Sequence, residues 1–270
     1  MSQAIPAFVV NLDRRPDRLD RLAAHLADRQ VAFTRVSACD ALDATEEALA
    51  AVIPDGGPLG ALGRGDRACT VSHTRAWSAF LDTGAAYGLI LEDDVWLAED
   101  SALCLARADW LPGGLVKLEK FGDGASRLLL GAVAGRTPSG RPIHPLLSRH
   151  AGGGAYILSR AAAQAALARR GHIRVPVDHF LFNANVSRFA RRARPFIVSP
   201  AMATQRAWAY NSDIAKHGKA ARPTGPALVW RRLKRGLFEV NRAPAQVLGL
   251  ATGRARLTQV TFDDRPPRSV

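Results

Sequence analysis

With 270 residues the chain can bury a substantial core, as one domain or as one domain with an appendage. Its apolar fraction of 47% and charged fraction of 23% are those of an ordinary soluble globular protein, which excludes a fibrous or low-complexity chain. The net charge of +13 is uneven: residues 201–270 carry 13 Lys and Arg against 4 Asp and Glu, whereas the first 200 carry 24 against 20.

In chain order, "AFVVNL" (residues 7–12) is a short, β-branched apolar run that reads as a strand buried on both faces. "DRRPDRLDRLAAHLADRQ" follows with Leu19, Leu22 and Leu26 at spacings of three and four, an amphipathic helix starting near Pro16 or Asp17. "VAFTRVSACDA" reads as a second strand, so the chain opens as strand, helix, strand, the beginning of a parallel α/β sheet. Residues 54–66, dense in Gly and Pro, read as a loop. "ACTVSHTRAWSAFLDTG" reads as a helix ended by Gly84, with Trp77 and Phe80 in the core. "YGLILEDDV" is the next strand, and residues 121–142 read as irregular hairpin or loop. Residues 155–158 predict a strand before an Ala-rich helix ended by Gly171, and residues 196–198 a final strand. After about Arg222 the chain turns basic: "WRRLKRGLFEV" is an amphipathic segment and "DDRPPRSV" reads as a disordered tail.

Cys39, Cys69 and Cys104 are far apart and odd in number, which fits neither a disulfide framework nor a zinc site and indicates a reducing compartment. The N-terminal apolar run lacks a basic lead-in and is too short for a secretory signal. No apolar stretch approaches the roughly 20 residues that span a bilayer. A cytoplasmic protein without a membrane span is expected.

The chemistry concentrates in "LILEDDVWL" (residues 89–97), where Glu92, Asp93 and Asp94 follow an aliphatic run. Acids at the C-terminal edge of a central strand lie where open α/β sheets bind ligands. In extended backbone Glu92 and Asp94 share one side and Asp93 takes the other. Two oxygen donors on one side suit Mg²⁺ or Mn²⁺ holding a nucleotide diphosphate. The competing reading is a strand end running into an acid-tolerant turn or helix N-terminus.

Three stretches decide between these by their order: "NLDRRPDR", then "ACTVSHTRAW", then "LILEDDV". Further on come "YILS" at residues 156–159, Pro176 to Asp178 as "PVD", and Pro200, Gln205, Ser212 and Ile214 near the end. Together these resemble glycosyltransferase family 25, the lipooligosaccharide-type transferases that include bacterial galactosyltransferases. The matched positions are Asn11, Leu12, Arg14 and Arg18; Cys69, Ser72, His73 and Trp77; and Glu92, Asp93 and Asp94. The chain departs from the family's Glu-x-Gly-Cys in having Asp66-Arg67-Ala68-Cys69, and its basic extension matches none of the motifs named above.

The resemblance implies a GT-A-like α/β fold: a mixed, mainly parallel sheet flanked by helices, with a catalytic domain over residues 1–221 and a basic extension over 222–270. It implies transfer of a sugar, galactose from UDP-galactose by analogy, to a hydroxyl of a lipooligosaccharide or other cell-surface glycan. On this sequence Asn11, Leu12, Arg14 and Arg15 would contact the donor nucleotide, the arginines pairing with phosphate. Glu92 and Asp94 would serve Mn²⁺ or Mg²⁺, with Asp93 a third ligand or their support. Arg18 reads equally as a solvated helix residue. His73 would meet a phosphate, orient an acid, or be structural. Asp178, in "VPVDHFLF", reads as general base for the acceptor hydroxyl or as N-cap of the helix "HFLFNANVSRF".

The basic residues 231–235 would dock the enzyme on an anionic membrane surface or a phosphorylated lipid-linked acceptor, peripherally at the inner face. The rival reading is a nucleic-acid-binding protein acting through this region, which needs aromatics interleaved with the basic residues. The segment offers Trp230 and Phe238.

Overall fold

The structure, a computed structural model, describes residues 4–120, 122, 127–205 and 243–265, with seven further positions between 225 and 240. The elements in order are β1 (Ala7–Asn11), α1 (Pro16–Asp28), β2 (Phe33–Ser37), α2 (Glu46–Ala50), β3 (Gly56–Gly57) and β4 (Gly60–Ala61). Then come α3 (Arg64–Asp82), β5 (Tyr87–Glu92), β6 (Val95–Leu97), α4 (Ser101–Leu105), β7 (Leu115–Lys117) and β8 (Glu119–Lys120). Next are β9 (Arg127–Gly131), β10 (Gly135–Arg136), β11 (Pro142–Pro145), β12 (Ala155–Ser159), α5 (Arg160–Leu167), α6 (Val177–Phe182) and α7 (Arg188–Ala193). The chain ends with β13 (Phe196–Val198), β14 (Ala203–Gln205), α8 (Ala243–Ala251) and β15 (Ala255–Gln259).

Eight strands form one mixed sheet in the order β10-β11-β13-β7-β12-β5-β1-β2. β1 pairs in parallel with β2 and β5, and β7 with β13; β12 is antiparallel to both β5 and β7, and β11 to β13 and β10. Six strands therefore run one way and two, β11 and β12, the other. The main sheet is mainly parallel in direction, as expected.

Period-two alternation divides the core between the two faces. Phe8, Val10, Ile90, Tyr156 and Leu158 join one cluster, and Ala7, Val9, Leu89, Leu91 and Ile157 the other. The first cluster is closed by α3 through Val71, Trp77 and Phe80, the second by α1 through Leu22 and Leu26. Pro16 at the first turn of α1 has a fixed φ suited to that position. α3 lies unusually close to β5 because position 88 is glycine: a Cβ there would meet the Phe80 ring at 2.6 Å. Gly84, at φ +74, ends the connection after α3 in a conformation that favours glycine.

Several expectations are corrected. α3 starts at Arg64, not near Ala68; Arg64 and Arg67 both pair with Glu46, and Asp66 suits the positive end of the helix. Residues 121–142 contribute strands β9, β10 and β11 in part. "HFLFNANVSRF" is two helices, α6 and α7, the second capped by the Ser187 hydroxyl on Ala190 N–H at 3.1 Å. The C-terminal stretch is not disordered throughout: β15 pairs antiparallel with β9, Val260 and Ala255 are buried, and Asp264 pairs with Arg29. The basic positions 231, 232, 234 and 235, and residues 206–224 with Ser212 and Ile214, lie outside the described residues.

Candidate active site

The acids sit where the sheet's same-direction strands end. β1 ends at Asn11 and β5 at Glu92, and β8 begins at Glu119 two residues beyond β7. β5 does not continue as extended chain through the acids. Asp93 and Asp94 form a turn, after which β6 leaves the main sheet to pair with β14. The turn overrides the alternation expected for extended backbone and brings Asp93 and Asp94 together on one guanidinium.

That pair faces Arg18, whose guanidinium lies 2.5 Å from Asp93 Oδ1 and 3.0 Å from Asp94 Oδ2. Asn11, almost fully buried, donates from Nδ2 to Asp93 Oδ2 at 2.8 Å and to the Arg15 carbonyl at 3.0 Å, tying the β1–α1 turn to the acids. Arg18, left open by the sequence, is thus the arginine inside the cluster. Arg14 pairs with Asp40 and Arg15 with Asp17. Leu12, half-buried, accepts from Arg15 N–H at 2.9 Å and shapes the same turn.

Glu92 has further partners of its own. Its Oε1 meets His73 Nε2 at 3.2 Å and Cys69 Sγ at 3.9 Å, and its Oε2 accepts from Gln205 at 3.4 Å. His73 and Cys69 are four apart on α3 and so share one face. The Glu92, His73 and Cys69 ligand atoms lie within 4.8 Å of one another. Behind His73, its Nδ1 meets the Tyr156 hydroxyl at 2.8 Å, and Trp77 Nε1 donates to that hydroxyl at 2.7 Å.

A further acid comes from a strand the sequence reading did not identify. Lys117 and Glu119 are both fully buried and paired at 3.1 Å; Lys117 also donates to the carbonyls of Ala151 (3.0 Å) and Gly152 and lies 4.4 Å from the Phe182 ring centre. Glu119 Oε2 accepts from Gly154 N–H at 3.0 Å, and Gly154 O in turn accepts from Glu92 N–H at 2.8 Å. The signal was present in "LVKLEK": two opposite charges two apart on one face of an apolar strand. Asp178 lies across the glycine run, its Oδ2 accepting from Gly152 N–H at 3.2 Å and its Oδ1 from His179 N–H at 2.7 Å. The helix cap itself is Pro176, so Asp178 is a first-turn residue and not the N-cap.

Electrostatics separate the acids. Burial first, and then the Glu92 charge, push the Asp94 carboxyl up to about 8 in spite of Arg18. Burial also raises Asp93, against the pull of Arg18 and Asn11, and raises Glu119 against Lys117. Burial pushes Glu92 up as well, but there the His73 hydrogen bond, with the Arg18 and Lys117 charges, wins and holds it below the ordinary carboxylate range. Asp94 Oδ1 and Glu119 Oε1 are buried oxygens that accept no hydrogen bond among the described residues. Such oxygens are costly unless a ligand completes them.

The fold and cluster define an α/β protein with a group of carboxylates gathered at its strand ends. The profile of glycosyltransferase family 25 (LPS biosynthesis protein) matches residues 4–181, and the chain belongs to that family. It is 30% identical over 162 residues to the lacto-N-neotetraose biosynthesis glycosyltransferase LgtB of Neisseria gonorrhoeae, and 29% over 168 residues to the lipooligosaccharide biosynthesis protein lic2B of Haemophilus influenzae. These matches take in 57% and 58% of this chain, and span 57% and 60% of the two relatives. The lacto-N-neotetraose biosynthesis glycosyltransferase LgtE of N. gonorrhoeae is 28% identical over 209 residues, 73% of this chain and 72% of that one.

Proposed function

We propose that this chain transfers a hexose, galactose from UDP-galactose, to a hydroxyl of a lipooligosaccharide or related cell-surface glycan. The observation that carries this reading is the cluster of partly buried Asp93, Asp94 and Glu92 with fully buried Glu119 at the strand ends, tied by Asn11 and Arg18 to the β1–α1 turn. Family membership and the names of the relatives support the reaction class. In this reading Asn11, Leu12, Arg14 and Arg15 line the donor nucleotide, and Arg18 is available to the diphosphate as its charge develops.

Donor chemistry fits a hard divalent cation. The available ligands are carboxylate oxygens, and Asp94 Oδ1 is a buried acceptor without a donor among the described residues. Glu92 and Asp94, supported by Asp93, would hold Mn²⁺ or Mg²⁺. Such an ion, when bound, neutralises the departing nucleoside diphosphate. Asp178 is held by two backbone N–H groups beside the glycine run, and takes the proton from the acceptor hydroxyl. The acceptor oxygen then bonds to the anomeric carbon as the bond to the diphosphate breaks. His73 orients Glu92.

Docking at the inner membrane face is part of the same proposal. The described positions between 225 and 240 are helical, and Val229, Leu233, Leu237 and Val240 are exposed at spacings of four, four and three. An exposed apolar stripe in a basic sequence suits an anionic lipid surface better than nucleic acid. No helix among the described residues is long and apolar enough to cross a membrane. The test is transfer from a panel of radiolabelled UDP-sugars to truncated lipooligosaccharide with Mn²⁺. Product from UDP-galactose that disappears in Asp94→Asn supports the reading; no product from any sugar nucleotide, in folded protein, removes it.

A further inference from the structure

Trp77, Tyr156, His73 and Glu92 form one hydrogen-bonded chain whose direction is fixed by chemistry. An indole N–H can only donate, so the Tyr156 hydroxyl accepts from Trp77 at 2.7 Å. The hydroxyl keeps one proton to give, and the acceptor beside it is His73 Nδ1 at 2.8 Å. Nδ1 then carries no proton, and in a neutral imidazole the proton sits on Nε2, which faces Glu92 Oε1 at 3.2 Å. Trp77, Tyr156 and His73 are each fully buried, so water cannot supply an alternative partner. The His73 and Tyr156 rings stack at 5.7 Å and 18°, which also fixes the imidazole plane.

We propose that Tyr156, anchored by Trp77, is a positioning residue that locks His73 as the Nε2-protonated imidazole, so that His73 acts as a fixed donor to Glu92. This rests on the reading of the acidic cluster as the transfer site. It gives functions to two residues that otherwise look like ordinary core. It also decides the chemistry of the Cys69, His73 and Glu92 trio, whose spacing alone would admit a soft metal ion. A metal on His73 would need Nε2 bare and the proton on Nδ1. Tyr156 would then accept from both Trp77 and His73, and its own buried proton would have no acceptor. The trio therefore holds Glu92 in place and is not a zinc site.

The test is ¹⁵N NMR of histidine-labelled full-length protein, comparing the native chain with His73→Gln, His73→Leu and Tyr156→Phe. The native spectrum should contain one neutral Nε2–H imidazole that vanishes in His73→Gln. It should lose its single-tautomer signature in Tyr156→Phe and stay unmoved by added Zn²⁺. An Nδ1–H imidazole at His73, or a Zn²⁺-induced shift of its Nε2, overturns the proposal. Should Tyr156→Phe not fold, the native and His73→Gln spectra still decide. In UDP release from UDP-galactose with Mn²⁺, His73→Leu should lose roughly 100-fold in kcat, as a displaced catalytic group does. His73→Gln, which keeps an N–H near the Nε2 position, should recover about tenfold of that, the worth of one hydrogen bond to a charged group. Equal loss in both variants contradicts a donor role for His73. Full activity in Glu92→Gln would instead overturn the functional reading, whatever the tautomer proves to be.

Discussion

Arg18 shows how residue identity and residue environment part company. Arg14 and Arg15 precede α1 and pair with Asp40 and Asp17, whereas Arg18, in the first turn of α1, bridges Asp93 and Asp94. Helical spacing does not foretell that partner, because it depends on where the β5 turn delivers its acids. Arg18→Ala should therefore weaken donor binding by tenfold or more, since a bidentate guanidinium at phosphate cannot be replaced by water at equal strength. Competition titration with UDP checks this, and unchanged affinity would assign Arg18 to the acids alone. Asp178→Asn should slow turnover far more than donor binding, whereas an unchanged rate with lowered thermal stability would mark Asp178 as a first-turn helix residue and no more. The identities of Asn11, His73 and the three acids were legible in the sequence as ordered motifs. Their partners were not, because hydrogen bonds between residues 82 apart, as from Asn11 to Asp93, leave no local pattern.

At the scale of elements, the approach of α3 to β5 is what brings His73 to Glu92. Gly88 permits it, and a Cβ at that position would overlap the Phe80 ring. Gly88→Ala should displace the helix, costing about 1–3 kcal/mol of stability through overpacking and lowering activity together. Urea unfolding alongside the transfer assay reads both; loss of stability with unchanged activity would separate the packing from the site. β7 and β8 add a second element-scale dependence through Lys117 and Glu119, each fully buried. Lys117→Met leaves an uncompensated buried carboxylate and should cost about 3–5 kcal/mol, where a surface pair would cost under 1. The β1–α1–β2 opening, α3 and β5 could be read from periodicity because each is long or strongly apolar. β7, β8 and β14 could not: they are two or three residues long, and their pairing partners lie far away in sequence.

For the whole molecule, residues 255–264 are part of the folded unit. β15 covers β9, and Val260 and Ala255 are buried against the remainder. Deletion after residue 242 should lower the melting temperature by several degrees, about 2–4 °C per kcal/mol in a chain of this size. An unchanged melting temperature would make β15 a dispensable annex. Composition could not foresee this, because a basic, Pro-containing terminus looks the same whether or not its last strand finds a partner. The central claim, that the acids at the strand ends hold a cation under a nucleotide diphosphate, is tested most directly by thermal stabilisation. A ligand that binds only the folded chain raises its stability by about 2.7 kcal/mol at a hundredfold excess over its Kd. The account predicts a rise in melting temperature with UDP-galactose that requires Mn²⁺ and is lost in Asp94→Asn. Equal behaviour of the native and Asp94→Asn proteins across a panel of sugar nucleotides, with and without Mn²⁺, would contradict it.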